Sequence, residues 1–233
     1  MNYLTQAFIG FREAREYPLS TGKLGLRDLY DWHQLVWQAF PGRNDESRQF
    51  LTRVDAQERE HRYRLLIVSA NAPAAPRGWP DEQEAWQTRE LSLAFFLHRA
   101  YRFQLRVNPT KRGNVSRKRM PLLTDTDLHA WLQRKGQQHG FAPDMTTIRT
   151  MRETHEHFRI ESRKLSGIHH SVNFDGVLAV TNDTAFQHAC LCGIGSAKAF
   201  GFGLLALVPL AGERGAASAG CVASSTTMAN TTP

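Results

Sequence analysis

Tyr30 and His33 are the residues of this chain whose types and spacing best suit proton-transfer chemistry. An imidazole changes its charge near neutral pH, so a histidine can donate or accept a proton under physiological conditions. Residues three positions apart lie on one face of a helix, so Tyr30 is placed to orient His33. The pair therefore indicates a general acid–base site, provided that the imidazole reaches a cleft.

The segment around this pair predicts an amphipathic helix over residues 26–40, which a Pro-Gly pair ends. His33 falls within the apolar stripe of that helix, so periodicity alone favours a histidine packed in the core. The alternative is that His33 faces a cleft at the edge of the core. The predicted stripe consists of Leu26, Leu29, Val36, Trp37 and Phe40.

A dense basic segment, KRGNVSRKR, occupies residues 111–119. A thin, flexible loop of cations suits the phosphates of a folded RNA, whose major groove is too narrow for a helix. A solvated surface loop with no specific partner is the alternative. The predicted RNA-contacting cations are Lys111, Arg112, Arg117, Lys118 and Arg119, with Arg102 and Arg106 on the strand that leads into the loop.

A glycine-rich loop, GIGSAKAFGFG, fills residues 193–203 and lies between a predicted helix and a predicted strand. Glycine permits positive φ and close backbone approach, and successive N–H groups can hold a phosphate. We expect Gly193, Gly195, Lys198, Gly201 and Gly203 to contact an RNA backbone; a tight loop that only turns the chain is equally consistent with the glycines. The spacing is neither that of a P-loop nor that of a dinucleotide-binding turn.

Composition and charge agree with a polyanionic partner. The 233 residues include 29 Lys and Arg against 22 Asp and Glu, a formal net charge of +7. Three cysteines are too few for a disulfide framework, and neither the pair Cys190 and Cys192 nor the paired histidines have the spacing of a metal site. We expect no metal, no cofactor, no signal peptide, no membrane span and a cytoplasmic location.

The predicted elements give an α+β fold with two tandem ferredoxin-like (RRM-like) domains. From residue 101 onward the order is strand, helix, strand, strand, helix, strand, whereas the first half lacks an evident second helix. The predicted domains cover residues 1–97 and 98–210, and residues 211–233 form a disordered tail. The predicted strands are 3–10, 62–70, 89–97, 101–108, 157–165, 170–181 and 204–210, with helices at 124–138 and 183–192 and a turn at Ser166-Gly167.

Five segments, in order along the chain, resemble the CasE family of repeat-processing CRISPR ribonucleases. They are DLYDWHQLVWQAFPGR (28–43), FQLRVNPTK (103–111), AWLQRK (130–135), FDGVL (174–178) and GIGSAKAFGFGLLALVPL (193–210). The resemblance extends over nearly the whole chain to residue 210, and several motifs in order are more specific than any one of them. The stretch after residue 210 has no counterpart in the family.

The resemblance implies two ferredoxin-like domains and metal-independent cleavage of precursor CRISPR RNA at the repeat hairpin. It implies that His33 is catalytic, that Tyr30 assists it, and that the basic segment engages the hairpin. A cation should offset the charge of the reacting phosphate, and Lys164 is preferred to Lys198 for that role. The enzyme would then stay on the hairpin as a subunit of Cascade.

Three other functions are consistent with the same residues. The first is a non-catalytic RNA-binding subunit of a CRISPR complex in which His33 is only structural. The second is a backbone subunit that coats guide RNA without preferring a hairpin. The third is an unrelated enzyme that binds a small phosphorylated ligand at residues 193–203.

Overall fold

The computed structural model describes residues 1–42, 49–112, 119–152, 156–160 and 165–210; for Arg112, 156–160 and 165–168 only the backbone is described. Within these ranges, no helix is long and apolar enough to cross a membrane. The predicted tail, residues 211–233, lies outside the described part of the chain.

The first sheet has four antiparallel strands in the order β2-β3-β1-β4. This is the strand order of a ferredoxin-like domain. Residues 70–85, all of which are described, contain no helix, so the second helix that this fold usually has is replaced by turns. The elements are β1 (Tyr3–Gly10), α1 (Phe11–Glu16), α2 (Leu29–Gln38), β2 (Phe50–Gln57), β3 (Arg62–Ser69) and β4 (Trp86–Glu90).

The second sheet repeats the same order with β13-β5-β12-β8, and β9 also pairs with β12. Two hairpins are inserted into it: β6 with β7, and β10 with β11. The elements are β5 (Ala100–Val107), β6 (Thr110–Arg112), β7 (Arg119–Pro121), α3 (Asp125–Gln138), β8 (Phe141–Pro143), β9 (Arg149–Arg152), β10 (Glu156–Ile160), β11 (Leu165–His169), β12 (Val172–Val180), α4 (Asp183–Cys192) and β13 (Leu205–Pro209). The predicted fold class is therefore confirmed.

Each sheet covers its own core, and a third, smaller cluster joins the two. The first core packs α2 residues such as Leu35 against β1 and β3, and the second packs Trp131 and Phe186 against β5 and β12. The joining cluster contains Leu51, Leu66, Val68 and Leu204. Burial of these side chains away from water holds the two halves together.

Several predicted boundaries are wrong, and each has a local cause. The strand predicted at 89–97 ends at Glu90, because Ser92 accepts a hydrogen bond from the Ala94 N–H and starts a 3₁₀ turn at Leu93–Leu97. The predicted turn at Ser166-Gly167 lies inside β11, where Gly167 pairs with Phe158 of β10. Strand β2 was not predicted because its charged residues interrupt the apolar pattern.

Candidate functional site

Helix α2 is fixed at its start by a capping box, and this sets the direction in which Tyr30 and His33 project. The Asp28 carboxylate accepts hydrogen bonds from the backbone N–H groups of Tyr30, at 2.8 Å, and Asp31, at 2.9 Å. The Asp31 carboxylate accepts in return from the backbone of Asp28. The helix therefore begins at Leu29, three residues later than predicted.

His33 lies at the edge of the core rather than inside it. The buried face of α2 consists of Asp31, Trp32, Leu35 and Val36, and His33 is half-buried beside that face. Leu26, Val36 and Phe40 of the predicted stripe are buried as predicted, whereas Leu29 and Trp37 are only partly buried. This position agrees with the cleft alternative for His33.

The imidazole of His33 is oriented by Trp37, one helical turn later. The indole N–H of Trp37 donates a hydrogen bond to Nε2 of His33 over 3.0 Å. Because Nε2 accepts in this contact, the hydrogen bond favours the neutral imidazole with its proton on Nδ1. Residues at i and i+4 meet on a helix surface, so the pairing follows from the spacing alone.

Aromatic rings from both halves of the molecule surround His33. The ring centroid of Tyr30 lies 6.3 Å from that of His33, and the ring of Phe50, on β2, lies at the same distance. Phe200 approaches to 6.4 Å from the glycine-rich loop of the second half. The site is therefore built from both halves of the molecule, because α2 belongs to the first half and the glycine-rich loop to the second.

A second histidine contacts the same phenylalanine. His169, at the end of β11, lies with its ring centroid 5.0 Å from that of Phe200 and 5.4 Å from that of Phe202. Its Nδ1 shares a hydrogen bond of 2.8 Å with the Asn108 amide. Burial lowers the pKa of His169 below its usual value, which favours the neutral ring at pH 7. The position of His169 beside Phe200 was not predicted from the sequence.

The hairpin of β10 and β11 runs beside α2. Lys164, the predicted assisting cation, directly precedes β11 in the sequence and lies outside the described residues. The backbone of the hairpin thus approaches the helix that carries His33. The role of Lys164 remains a prediction.

Arg106 belongs to a cluster of three arginines around Asp55, which we call the interface arginine cluster. From β5, Arg106 donates to the Val54 carbonyl over 2.6 Å and lies 3.3 Å from the Asp55 carboxylate on β2. Arg53 and Arg64 each approach that carboxylate to 2.9 Å. Arg106 is thus engaged between the two sheets and presents little of its surface to a ligand.

Charge and burial act in opposite directions within the interface arginine cluster. Burial by itself raises the pKa of Asp55, but attraction to Arg53, Arg64 and Arg106 outweighs it, so the pKa lies below its usual value. Burial and repulsion from the other two arginines lower the pKa of Arg53 despite its attraction to Asp55. Since guanidinium groups stay protonated in proteins, one carboxylate faces three positive charges.

The glycine-rich loop is closed by its own backbone hydrogen bonds. Ile194 donates to the Gly203 carbonyl over 2.9 Å, and Gly203 donates to the Arg106 carbonyl over 2.8 Å. Gly203 has φ +85°, and a Cβ there would lie 2.5 Å from the Ile194 carbonyl oxygen. Gly203 is therefore required by the loop conformation, as the tight-turn alternative expects.

Other predicted RNA-contacting residues divide between several places. Gly193, Gly195, Lys198 and Arg119 line one cavity of about 420 Å³ at the start of the glycine-rich loop. Gly201 lies further along this loop, outside that cavity. We call this space the loop cavity. Its other lining residues are Asn108, Thr110, Trp131, Lys135, His139 and Ser196.

The remaining predicted cations have other surroundings. Lys111 is exposed and lies 3.6 Å from the Asp127 carboxylate. Arg102 borders a different cavity, of about 480 Å³, between the two sheets. Arg117 and Lys118 lie outside the described residues, as does the side chain of Arg112.

Within the described ranges, no group of three or more His, Cys, Asp or Glu side chains is arranged to hold a metal ion. Cys190 is buried while Cys192 is exposed, so the two thiols of the C-x-C pair face different surroundings.

Two ferredoxin-like sheets, with a histidine on α2 facing Phe200 of the glycine-rich loop of the second half, define the class of this protein. The family model for CRISPR associated protein matches residues 2–209. The chain also shares 32% identity over 195 residues with the CRISPR system Cascade subunit CasE of Escherichia coli K12, covering 79% of this chain and 94% of that protein. The chain belongs to the CasE family of CRISPR-associated proteins.

Solved structures agree with this assignment. The crystal structure of Cas6e from Escherichia coli K-12 superimposes with a TM-score of 0.64 at 28% identity, over 89% of this chain and all of that one. A structure of the CRISPR endoribonuclease Cse3 bound to a 19-nucleotide RNA gives a TM-score of 0.67 at 25% identity, over 89% and 98% of the two chains.

Proposed function

We propose that this protein is an endoribonuclease that cleaves precursor CRISPR RNA at the repeat hairpin without a metal ion. One observation carries the proposal in a chain of this family: His33 is half-buried where α2 meets Phe200 of the glycine-rich loop. An RNA strand that lies between the two halves would meet this imidazole once the indole N–H of Trp37 is displaced from Nε2.

The chemistry needs only proton transfer and charge stabilisation. The 2′-hydroxyl of the nucleotide before the cut attacks the adjacent phosphorus, and the bond from phosphorus to the 5′-oxygen of the next nucleotide breaks. The 2′-hydroxyl loses its proton and the leaving 5′-oxygen gains one. The products are a 2′,3′-cyclic phosphate and a 5′-hydroxyl. His33 moves one of these protons, as general acid or base.

The neighbours of His33 have separate parts in this proposal. Trp37 holds Nε2 through its indole N–H, which keeps the ring in one orientation until RNA binds. Tyr30, on the same face, positions the imidazole or the attacking hydroxyl. Lys164 supplies the positive charge that offsets the charge developing on the phosphate.

After cleavage the protein keeps the 3′ hairpin and joins other Cascade subunits, acting in the cytoplasm where such RNA is made. The E. coli relative is named as a Cascade subunit, and the Cse3 structure is of an endoribonuclease bound to RNA.

The domain boundary is proposed near residue 97, between the last strand of the first sheet and β5.

His33→Ala tests the proposal most simply. We expect cleavage of a repeat-hairpin RNA to slow by roughly 10²-fold or more, the usual effect of losing a general acid–base group, while RNA binding is retained. Single-turnover rates and gel-shift affinities measure the two effects separately.

His129→Ala is the matched control, because His129 is also a half-buried histidine on a helix but lies on α3. It should cut at close to the wild-type rate. Near-normal cleavage by His33→Ala would reject the role of His33. Binding without cleavage by the wild-type protein would favour the non-catalytic RNA-binding subunit instead.

A further inference from the structure

Both ring nitrogens of His33 are held away from a ligand in the free protein. Nε2 accepts the indole N–H of Trp37 over 3.0 Å, and Nδ1 on the other side of the ring is buried. A general base needs a lone pair that can accept the proton of a ribose hydroxyl, and a general acid needs an N–H that reaches the leaving oxygen. In this arrangement the imidazole can therefore play neither role.

The indole of Trp37 blocks His33 whichever proton the imidazole moves. As a base, His33 would accept a proton at Nε2, where the lone pair already faces the indole N–H. As an acid, it would carry a proton at Nε2, and two N–H groups cannot point at each other across 3.0 Å. The buried Nδ1 cannot replace Nε2 without a rotation of the ring. The contact between Trp37 and His33 must therefore open before the reaction begins.

The position of Trp37 allows this contact to open. Its ring stands at 86° to the imidazole, one helical turn further along α2, and its other flank packs against Phe50 at 5.1 Å between centroids. Trp37 is only partly buried and packs against the outside of the first core, whereas Trp32 of the same helix lies in that core and is 8% exposed. The indole of Trp37 can therefore leave His33 without opening the core.

Opening the contact costs little free energy, so RNA binding can drive it. Because water replaces the lost partner, one hydrogen bond changes an equilibrium by a factor of up to about ten. A bound RNA shifts the equilibrium only as far as it favours the open contact over the closed one. A strand that a docked hairpin holds beside His33 competes well with the indole for Nε2, whereas a loosely held strand competes poorly.

We propose that Trp37 is a specificity-determining residue, whose indole keeps His33 inactive until a firmly docked RNA strand displaces it. The inference rests on the proposed function for the reaction that His33 carries out. It adds to that function a step before proton transfer, in which the reacting ribose oxygen takes the place of the indole at Nε2. RNAs without the hairpin leave the contact largely closed and are cut slowly.

The NMR signal of the Trp37 indole tests the displacement without any cleavage. The probe is a repeat-hairpin RNA with a 2′-amino nucleotide before the cut, which keeps a hydrogen-bond donor at that position and resists cleavage. We expect the ¹H–¹⁵N signal of the Trp37 indole, assigned through Trp37→Phe, to lose its hydrogen-bonded shift when this RNA binds. The Trp32 indole signal should change little. An unchanged Trp37 signal in the saturated complex would overturn the proposal.

Cleavage rates of Trp37→Phe test the specificity. Phenylalanine keeps a ring against Phe50 but has no N–H to donate to His33. Single-turnover rates at saturating protein are measured on the hairpin RNA and on an RNA with the same cut site whose stem cannot pair. We expect Trp37→Phe to narrow the ratio of the two rates by several-fold, up to about ten-fold, the effect that one net hydrogen bond can produce.

Trp32→Phe is the matched control, because it makes the same change on the same helix; it should keep the wild-type ratio of the two rates. A ratio that Trp37→Phe leaves unchanged would overturn the proposal, since a purely structural contact alters both rates by the same factor. Equal wild-type rates on the two RNAs would overturn it as well. A wild-type protein that binds the hairpin RNA but cuts neither RNA refutes the nuclease, while the indole signal still decides whether RNA displaces Trp37 from His33.

Discussion

Two groups of basic residues in this protein differ in what surrounds them. In the interface arginine cluster, Arg53, Arg64 and Arg106 share the carboxylate of Asp55 and hold the two sheets together. In the loop cavity, Arg119, Lys135 and Lys198 face a space that no described carboxylate lines. Basic residues near the glycine-rich loop therefore divide between the interface of the two sheets and the wall of a cavity.

The largest expected effect lies in the interface arginine cluster. Asp55→Ala leaves three arginines without their carboxylate, and Arg53 is only 2% exposed. Removing one partner of a buried ion pair costs about 3–5 kcal/mol, so the free energy of unfolding should fall by that amount. Denaturation with urea measures it.

Asp127→Ala provides the comparison, because Asp127 pairs with Lys111 at the surface, where both side chains are about half exposed. An exposed pair contributes about 0–1 kcal/mol. If both variants lost the same small amount of stability, the interface arginine cluster would not hold the two sheets together as described.

A second experiment compares one arginine from the interface arginine cluster with one from the loop cavity. Arg106→Met should lower stability by about 2 kcal/mol or more, because it removes a buried charge-assisted hydrogen bond to Val54 as well as the contact with Asp55. Arg119→Met should leave stability nearly unchanged and weaken binding of a repeat-hairpin RNA a few-fold, since Arg119 is exposed at the rim of the loop cavity.

Thermal unfolding and binding at several salt concentrations are measured for both arginine variants. The contrast between the interface arginine cluster and the loop cavity fails if Arg106→Met folds normally and loses only RNA affinity. It fails equally if Arg119→Met unfolds the protein.

The sequence predicted the fold class because the second half keeps the full strand–helix pattern and because five motifs resemble one family. It missed β2, whose Arg53 and Asp55 resemble loop residues until their partners on β3 and β5 are known. Pairing of charges across sheets cannot be seen in a linear pattern. The N-cap at Asp28 was visible in the sequence and would have placed the start of α2 correctly.

The candidate site was predicted in part. Tyr30 and His33 do lie on one helical face, and Gly193, Gly195, Lys198 and Arg119 do line one cavity. Phe200 was missed, because it reaches His33 through a contact between distant segments rather than through a local motif. Periodicity alone favoured a core position for His33, because it could not show that this ring lies at the edge of the buried face rather than within it.

Cleavage of the repeat RNA in EDTA, with identification of the new RNA ends, tests the central claim most directly. We expect the wild-type protein to cut at its usual rate in EDTA and to leave a 2′,3′-cyclic phosphate upstream and a 5′-hydroxyl downstream, because we propose that His33, Tyr30 and Lys164 supply the chemistry. Cleavage that stops in EDTA and returns with a divalent ion, or that leaves a 5′-phosphate, would contradict it.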